Sequence, residues 1–522
     1  MSEGSRCVTS KIAMMRRVEV ETKAEDRHLR VAQLNADLKE RAVRSGAIVI
    51  AAQIGGAVIA IGAVAALARL LRPTDFGLIA MAFPIVVIAT VLRNFGLDIG
   101  VINREQLDAA LVNSIFWLSL RLNFLMAVAL AALAPALAWF YGEPRLIGVT
   151  LALASGVFLL SLGAQHETLL KRQMRFDLLS ATNLLSTLVG ALAAIVSALL
   201  GAGYWSLVIQ TVVTFFLRSL LAWAVCDWRP RWKHTRPNGA FDSTLRLMRA
   251  SGRNLTGTRV LTLASNYFDR VVVGWLAGAS MLGLYENGRR LAFFAVDALY
   301  SPLLDVAVAG FSRAGSDDER YRSFAIKSVQ LVLATTLPVL AFIFVEAETV
   351  TLLLLGPQWT GAIPFARLLA VAAFAQSLTR LLTWFYLSRD ETARQVRWFV
   401  WQTVVIFAAI CFGAWQNGPQ GAAWALAGAT CLLTIPAIFY GLSQSPFTAH
   451  DFARAAGGPI LLSLGAAAIL WMAESHWQSP PQSLIHCAIA FGTYMSIYAS
   501  FWMAFPGGRA AARQMIRLLI ER

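Results

Sequence analysis

The sequence predicts an all-α polytopic membrane protein of about fourteen transmembrane helices, and three observations lead there. Of its 522 residues, 57% are hydrophobic and only 14% are charged, a balance that soluble chains of this length do not reach. The apolar residues gather into stretches of roughly 20, the length that crosses a bilayer core as a helix. Lys and Arg collect at alternate ends of those stretches, the positive-inside pattern that places both termini in the cytoplasm.

Taken in order, residues 1–44 are polar, mixed in charge and without an early apolar run, so they read as a cytosolic extension and not a secretory signal. Six spans follow at about 46–68, 77–99, 113–137, 146–165, 178–200 and 204–226. A basic linker at 227–249 begins with Trp228, Arg229, Pro230, Arg231, Trp232 and Lys233. Eight more spans lie at about 250–276, 282–310, 324–346, 363–387, 397–416, 420–442, 458–474 and 484–505, ahead of a basic tail at 506–522. Links carrying Lys171, Arg172 and Arg175, or Arg313, Arg320, Arg322 and Lys327, or Arg389, Arg394 and Arg397, are cytoplasmic on this reading. The alternate links 201–203, 277–281, 347–362, 417–419 and 475–483 contain neither Lys nor Arg. Pro84, Pro135, Pro302, Pro338 and Pro436 fall inside spans, where a missing N–H bends the helix.

A weak internal repeat divides the spans into six, six and two. Ser45-Gly46 matches Ser251-Gly252, and Gly77-Leu78 matches Gly283-Leu284, both at an offset of 206 residues. Gly203-Tyr204-Trp205-Ser206-Leu207 is echoed by Ala422-Ala423-Trp424-Ala425-Leu426. The expected domains are an N-terminal six-helix lobe at 45–226, a C-terminal one at 250–442, and two additional helices at 443–505. Six crossings is an even number, so the two lobes enter the membrane in the same sense and their relating axis runs along its normal.

Composition also excludes. A net charge of +15 would suggest nucleic acid in a soluble protein, but here the cytoplasmic links hold it, and attraction to anionic membrane lipids suffices. Five scattered cysteines and six scattered histidines (28, 166, 234, 450, 476, 486) offer neither a disulfide framework nor metal-ligand spacing, so no metal is expected. No Gly-rich phosphate loop is present, so neither ATP hydrolysis nor a cofactor is expected. No external loop is long enough for a catalytic domain, and the chain reads as a non-enzyme.

Ionisable residues at bilayer depth cost about 2.5–3.5 kcal/mol each on insertion scales and mark functional sites by default. Span 7 carries one polar stripe of Asn254, Thr258, Thr262, Ser265 and Asp269, and beside it a second of Arg259, Asn266 and Arg270. Span 8 adds Glu286, Arg290 and Asp297 on one face, with Arg289 adjacent. The short link makes spans 7 and 8 a hairpin that brings Asp269 and Arg270 level with Glu286, Arg289 and Arg290. Two readings stand side by side. In one, Asp269 pairs with an arginine of span 8 and Arg270 with Glu286, a neutral structural lock. In the other, surplus guanidinium groups face a water-filled cavity and hold an anionic ligand. Arg121, Arg218 and Arg380 are more isolated cations, each close enough to the cytoplasmic side to snorkel or else to line the cavity. Arginine forks suit phosphate and pyrophosphate oxygens.

The run Leu67-Ala-Arg-Leu-Leu-Arg-Pro-Thr-Asp-Phe-Gly-Leu-Ile-Ala-Met81 resembles the polysaccharide transporter family of the MOP superfamily. So do Phe95-Gly-Leu97, Ile102-Asn-Arg-Glu105, Trp139-Phe-Tyr-Gly142, Leu169-Leu-Lys-Arg-Gln-Met-Arg-Phe176 and Trp228-Arg-Pro230. In the second half Asn266-Tyr-Phe-Asp269, Leu282-Gly-Leu-Tyr285, Leu355-Gly356 and Trp359 continue the likeness, which covers roughly 45–440. Ser388-Arg389-Asp390 departs from the small residue followed by Gly-Arg that often follows span 10 in the family. The resemblance implies two MATE-like lobes working by alternating access in the bacterial inner membrane. It implies a flippase for undecaprenyl-pyrophosphate-linked repeat units of exopolysaccharide or O-antigen, with a polysaccharide polymerase and a chain-length regulator as partners. The rival readings are a drug or metabolite antiporter of the same superfamily, and a polymerase or a non-transporting component of polysaccharide assembly.

Overall fold

The computed structural model describes residues 38–93, 109–231, 265–294, 296–297, 300, 310–311, 317–474 and 484–504. Among these there is no β-strand, and eleven helices are long and apolar enough to cross a membrane. The first half comprises α1 (Leu38–Leu70), α2 (Pro73–Leu92), α3 (Ala109–Tyr141), α4 (Leu146–Leu162), α5 (Ala164–Arg172), α6 (Phe176–Leu199) and α7 (Trp205–Val225). After the helical stretch 265–294 come α8 (Asp318–Val345), α9 (Ala347–Leu355), a 3-10 turn (Pro357–Ala362), α10 (Ile363–Arg380), α11 (Leu382–Ser388), α12 (Thr392–Leu442), α13 (Ala449–Glu474) and α14 (Leu484–Ala504). Outward-facing tryptophans such as Trp139 (85% exposed) and Trp415 (80%) sit among exposed Leu, Ile and Phe, as a surface solvated by lipid requires.

In the first half α6 packs on α1 and α7, and α4 packs on α2, α3 and α7. In the second, α8 packs on α10 and α13, and α10 on α12, while α14 lies mainly on α13. Several boundaries differ from expectation. Helix α1 begins at Leu38, inside the expected cytosolic extension. Span 4 continues beyond 165, because the break at Gly163 is followed at once by α5. Span 10 is interrupted at Leu381 between α10 and α11. Asn417 (φ −140°) and Gly418 (φ +54°) split α12 where the short link 417–419 was expected. The expected link 277–281 is helical, yet Gly278 at φ +74° turns the chain there, a backbone region that favours glycine. The limbs on either side of it are antiparallel: Asp269 meets Tyr285, Arg270 meets Glu286, and Gly274 faces Leu282.

The corner between α1 and α2 explains the first family motif physically. Pro73 stands in the first turn of α2, where its missing N–H costs nothing, and Asp75 accepts the Arg72 N–H at 2.9 Å. The 3-10 turn of the second half docks on this corner. Trp359 Nε1 donates to the Ala68 carbonyl at 2.8 Å, Gln358 Nε2 to Leu71 O at 3.0 Å, and Arg69 to Leu353 O at 2.7 Å. Phe76 presents its ring edge to Trp359 at 5.2 Å.

The halves also meet through glycine. A β-carbon on Gly77 would lie 1.7 Å from the Ala279 carbonyl oxygen, and one on Gly283 would lie 1.9 Å from that of Pro73. Positions 73 and 279 are 206 residues apart, as are 77 and 283. Each half therefore offers the same carbonyl to the other half's equivalent glycine, the reciprocal pattern of a two-fold interface.

Candidate functional site

Among the described residues, three cavities open around the 265–294 hairpin. The first, of about 450 Å³, is lined by Arg270, Glu286, Arg289, Arg290 and Asp297, with Gln53 and Ala57 of α1 across from them. The second, of about 500 Å³, lies between the hairpin and helices α1, α2, α6 and α7. Its walls are mainly apolar (Ile61, Val64, Phe76, Phe83, Phe215), but it shares Arg270, Glu286 and Arg290 with the first. The third, also about 500 Å³, lies within the second half between the hairpin and α10, α11 and α12. Asn266, Asp269, Arg289, Gln376, Arg380 and Gln402 are the polar part of its wall.

The ion pairs decide which charges are available. Arg270 Nε lies 2.7 Å from Glu286 Oε2, and its guanidinium stacks 4.1 Å from the Tyr267 ring centroid. Asp269 accepts a 2.7 Å hydrogen bond from the Tyr285 hydroxyl and faces Arg289 Nε at 3.8 Å. Arg289 lies over Phe293, 4.2 Å from its centroid. Asp297 goes to Arg380 at 2.6 Å, and so does not complete the pairing of spans 7 and 8. Arg290 approaches Glu286 only to 4.0 Å and keeps 45% of its side chain exposed. Among the described residues of this group, Arg270, Arg289, Arg290 and Arg380 stand against Asp269, Glu286 and Asp297, a surplus of one cation. Glu286 serves two guanidinium groups, and Arg290 is the more loosely held of them.

The remaining expected residues fall elsewhere. Arg259 lies outside the described residues, as do Asn254, Thr258 and Thr262. Arg121 is exposed on α3, and neither it nor Arg218 lines any of the three cavities. Arg218 is not an isolated cation: its Nε lies 2.7 Å from Glu167 Oε1. Glu167, 2% exposed, also receives Arg93 Nη2 at 2.9 Å. Arg93 donates to the Leu160 carbonyl at 3.2 Å, and Asn123 Nδ2 donates to the Arg93 carbonyl at 2.9 Å. Sequence reasoning missed this Arg–Glu–Arg lock, together with Tyr285 and Gln53. Ser265 of the first polar stripe bonds Thr403 of α12 at 2.7 Å, and it and Asp269 of the same stripe line the third cavity. Arg270 of the second stripe faces the other two.

The comparisons agree with the fold and with the resemblance. Residues 66–364 match the family described as polysaccharide biosynthesis protein. The succinoglycan biosynthesis transport protein ExoT of Rhizobium meliloti (strain 1021) is 29% identical over 307 residues, 59% of this chain and 61% of that one. The chain thus spans about three-fifths of the length of this relative. The lipopolysaccharide biosynthesis protein WzxC of Escherichia coli (strain K12) is 21% identical over 356 residues, 68% of this chain and 71% of that one. Among solved structures, the lipid II flippase MurJ in an inward closed conformation superposes with a TM-score of 0.68 at 12% identity, covering 91% of this chain and 100% of that one. The eleven long apolar helices among the described residues make the protein a multi-pass membrane protein. With more than half of its length matched, and with the motifs of both halves built into one interlobe joint, the chain belongs to the polysaccharide biosynthesis protein family.

Proposed function

We propose that the protein is a flippase. It moves undecaprenyl-pyrophosphate-linked oligosaccharide repeat units, destined for exopolysaccharide or O-antigen, from the cytoplasmic to the periplasmic leaflet by alternating access. The observation that carries this reading is the place of Arg290: half-exposed, loosely paired, and on the boundary shared by a cationic and an apolar cavity. A pyrophosphate finds a guanidinium fork there, and the polyprenyl chain finds the Phe- and Val-lined wall beside it. The names borne by the relatives and the flippase fold point the same way. On this reading the six-helix units 45–226 and 250–442 rock about the joint, the linker 227–249 connects them, and 443–505 is an appendage. Both termini lie in the cytoplasm, and a polysaccharide polymerase and chain-length regulator take over the product outside.

In a host lacking the protein and any substitute, lipid-linked repeat units accumulate on the cytoplasmic leaflet and surface polymer falls. Arg290→Gln is expected to restore less than about a tenth of export. A hydrogen bond to a charged group is worth about 1.5–3 kcal/mol, and about 1.4 kcal/mol is tenfold. Arg121→Gln, exposed and outside the cavities, is expected to restore export fully. Full export by stable, inserted Arg290→Gln protein defeats the assigned site. Normal surface polymer after deletion, with no accumulated intermediate, defeats the flippase reading itself.

A further inference from the structure

On the side of the molecule away from the basic links, three helix ends converge on a cluster that the transport reading does not use. Glu346 stands between α8 and α9, Glu474 ends α13, and His486 lies in the first turn of α14. His486 Nε2 is 4.0 Å from Glu346 Oε1 and 3.9 Å from Glu474 Oε1, and the three atoms lie within 4.8 Å of one another. The Glu346 side chain is 2% exposed, and its Oε1, which points at the imidazole, has no hydrogen-bond partner. Glu474 Oε1 likewise has none. Among the described residues, the ion pairs of these two carboxylates are with His486 alone. A buried carboxylate held next to a second one is costly unless a cation or hydrogen bonds compensate it.

We propose that Glu346, Glu474 and His486 form a divalent-metal site, and that zinc is the ion it takes best. One imidazole nitrogen with two carboxylate oxygens is a borderline donor set, and it leaves a fourth, water-filled position on a tetrahedral ion. Zinc bonds of about 2.0–2.2 Å hold tetrahedral ligands about 3.4 Å apart. The two imidazole–carboxylate separations need to close by about half an ångström and the carboxylate pair by at most about 1.4 Å, within the reach of side-chain torsions. Bound there, the ion joins α14 to α8 and α13 at one end of the helix. Two hydrogen bonds of α14, Tyr494 Oη to Ser463 O (3.1 Å) and Tyr498 Oη to Ala334 O (2.9 Å), lie further along it. The metal is thus a clasp for the last helix, separate from the transport cavities.

The test uses full-length protein purified through a histidine-free tag, stripped with chelator and titrated with zinc chloride. After gel filtration, wild type is expected to retain one zinc ion per chain and to unfold at a higher temperature than the stripped protein. Glu474→Gln sits at a partly exposed helix end that tolerates change, and it is expected to weaken zinc binding at least tenfold. Glu474→His supplies a nitrogen donor and is expected to keep zinc. Arg290→Gln is expected to bind zinc like wild type, whatever it does to export. Zinc retention by Glu474→Gln equal to wild type, or no retained zinc in wild type, overturns the proposal.

Discussion

Replacing Glu167 by alanine is expected to destabilise the protein by about 3–5 kcal/mol, the usual cost of removing one partner from a buried ion pair. Glu167 is 2% exposed and neutralises Arg93, whose side chain is 9% exposed, while Arg218 is one-third exposed and recovers part of its hydration. Most of the cost therefore falls on Arg93, left with the Leu160 carbonyl as acceptor. Glu167→Gln keeps an acceptor oxygen and is expected to cost less. Replacing all three partners with apolar residues (Arg93→Met, Glu167→Leu, Arg218→Met) removes the charges together and is expected to regain most of the loss. Thermal unfolding in detergent, followed by tryptophan fluorescence, reads each variant. A Glu167→Ala midpoint within a degree of wild type would show that Arg93 and Arg218 do not depend on the carboxylate.

The second large effect is steric. Alanine at Gly77 or Gly283 places a methyl group against a backbone carbonyl at less than 2 Å, where no side chain can swing aside. Overpacking usually costs about 1–3 kcal/mol, and contact with backbone on both sides puts these substitutions at about 3 kcal/mol or more. The strain falls on the joint between the halves, where both close approaches lie. Both variants are therefore expected to hold the halves apart at this joint and to lower export. Paired cysteines at Arg69 and Leu353, which lie on either side of the joint, report it: cross-linking in membranes should drop in Gly77→Ala relative to the glycine background. Gly62→Ala, where a β-carbon meets nothing within 4 Å, is the matched control. Unchanged cross-linking in Gly77→Ala would mean that the helices relax locally without parting.

The membrane crossings were legible because hydropathy and charge asymmetry are summed over many residues. The hairpin charges were legible for a local reason: a short link brings Asp269 and Arg270 level with Glu286 and Arg289 whatever the rest of the fold does. The Arg93–Glu167–Arg218 lock was hidden, since its members are 74 and 51 residues apart and come from the end of α2, from α5 and from α7. The expected end of span 4 at 165 also made Glu167 a loop residue, whereas α5 carries the helix on past it. Glu346, Glu474 and His486 escaped in the same way, because a ligand set gathered from separate helix ends leaves no spacing to read. The repeat showed that Gly77 and Gly283 are equivalent; only the packing shows that both face the opposite half.

That reciprocity bears on origin. A chain half this long, with one glycine and one carbonyl at these positions, would make the same contact twice with a second copy of itself and then stop, as a closed pair. On the topology that the charge pattern predicts, the halves enter the membrane in the same sense, and such a pair needs only one orientation of insertion. Joining two copies through a linker would preserve the contact and free the halves to differ, so that the arginines of the 265–294 hairpin could arise in one copy alone.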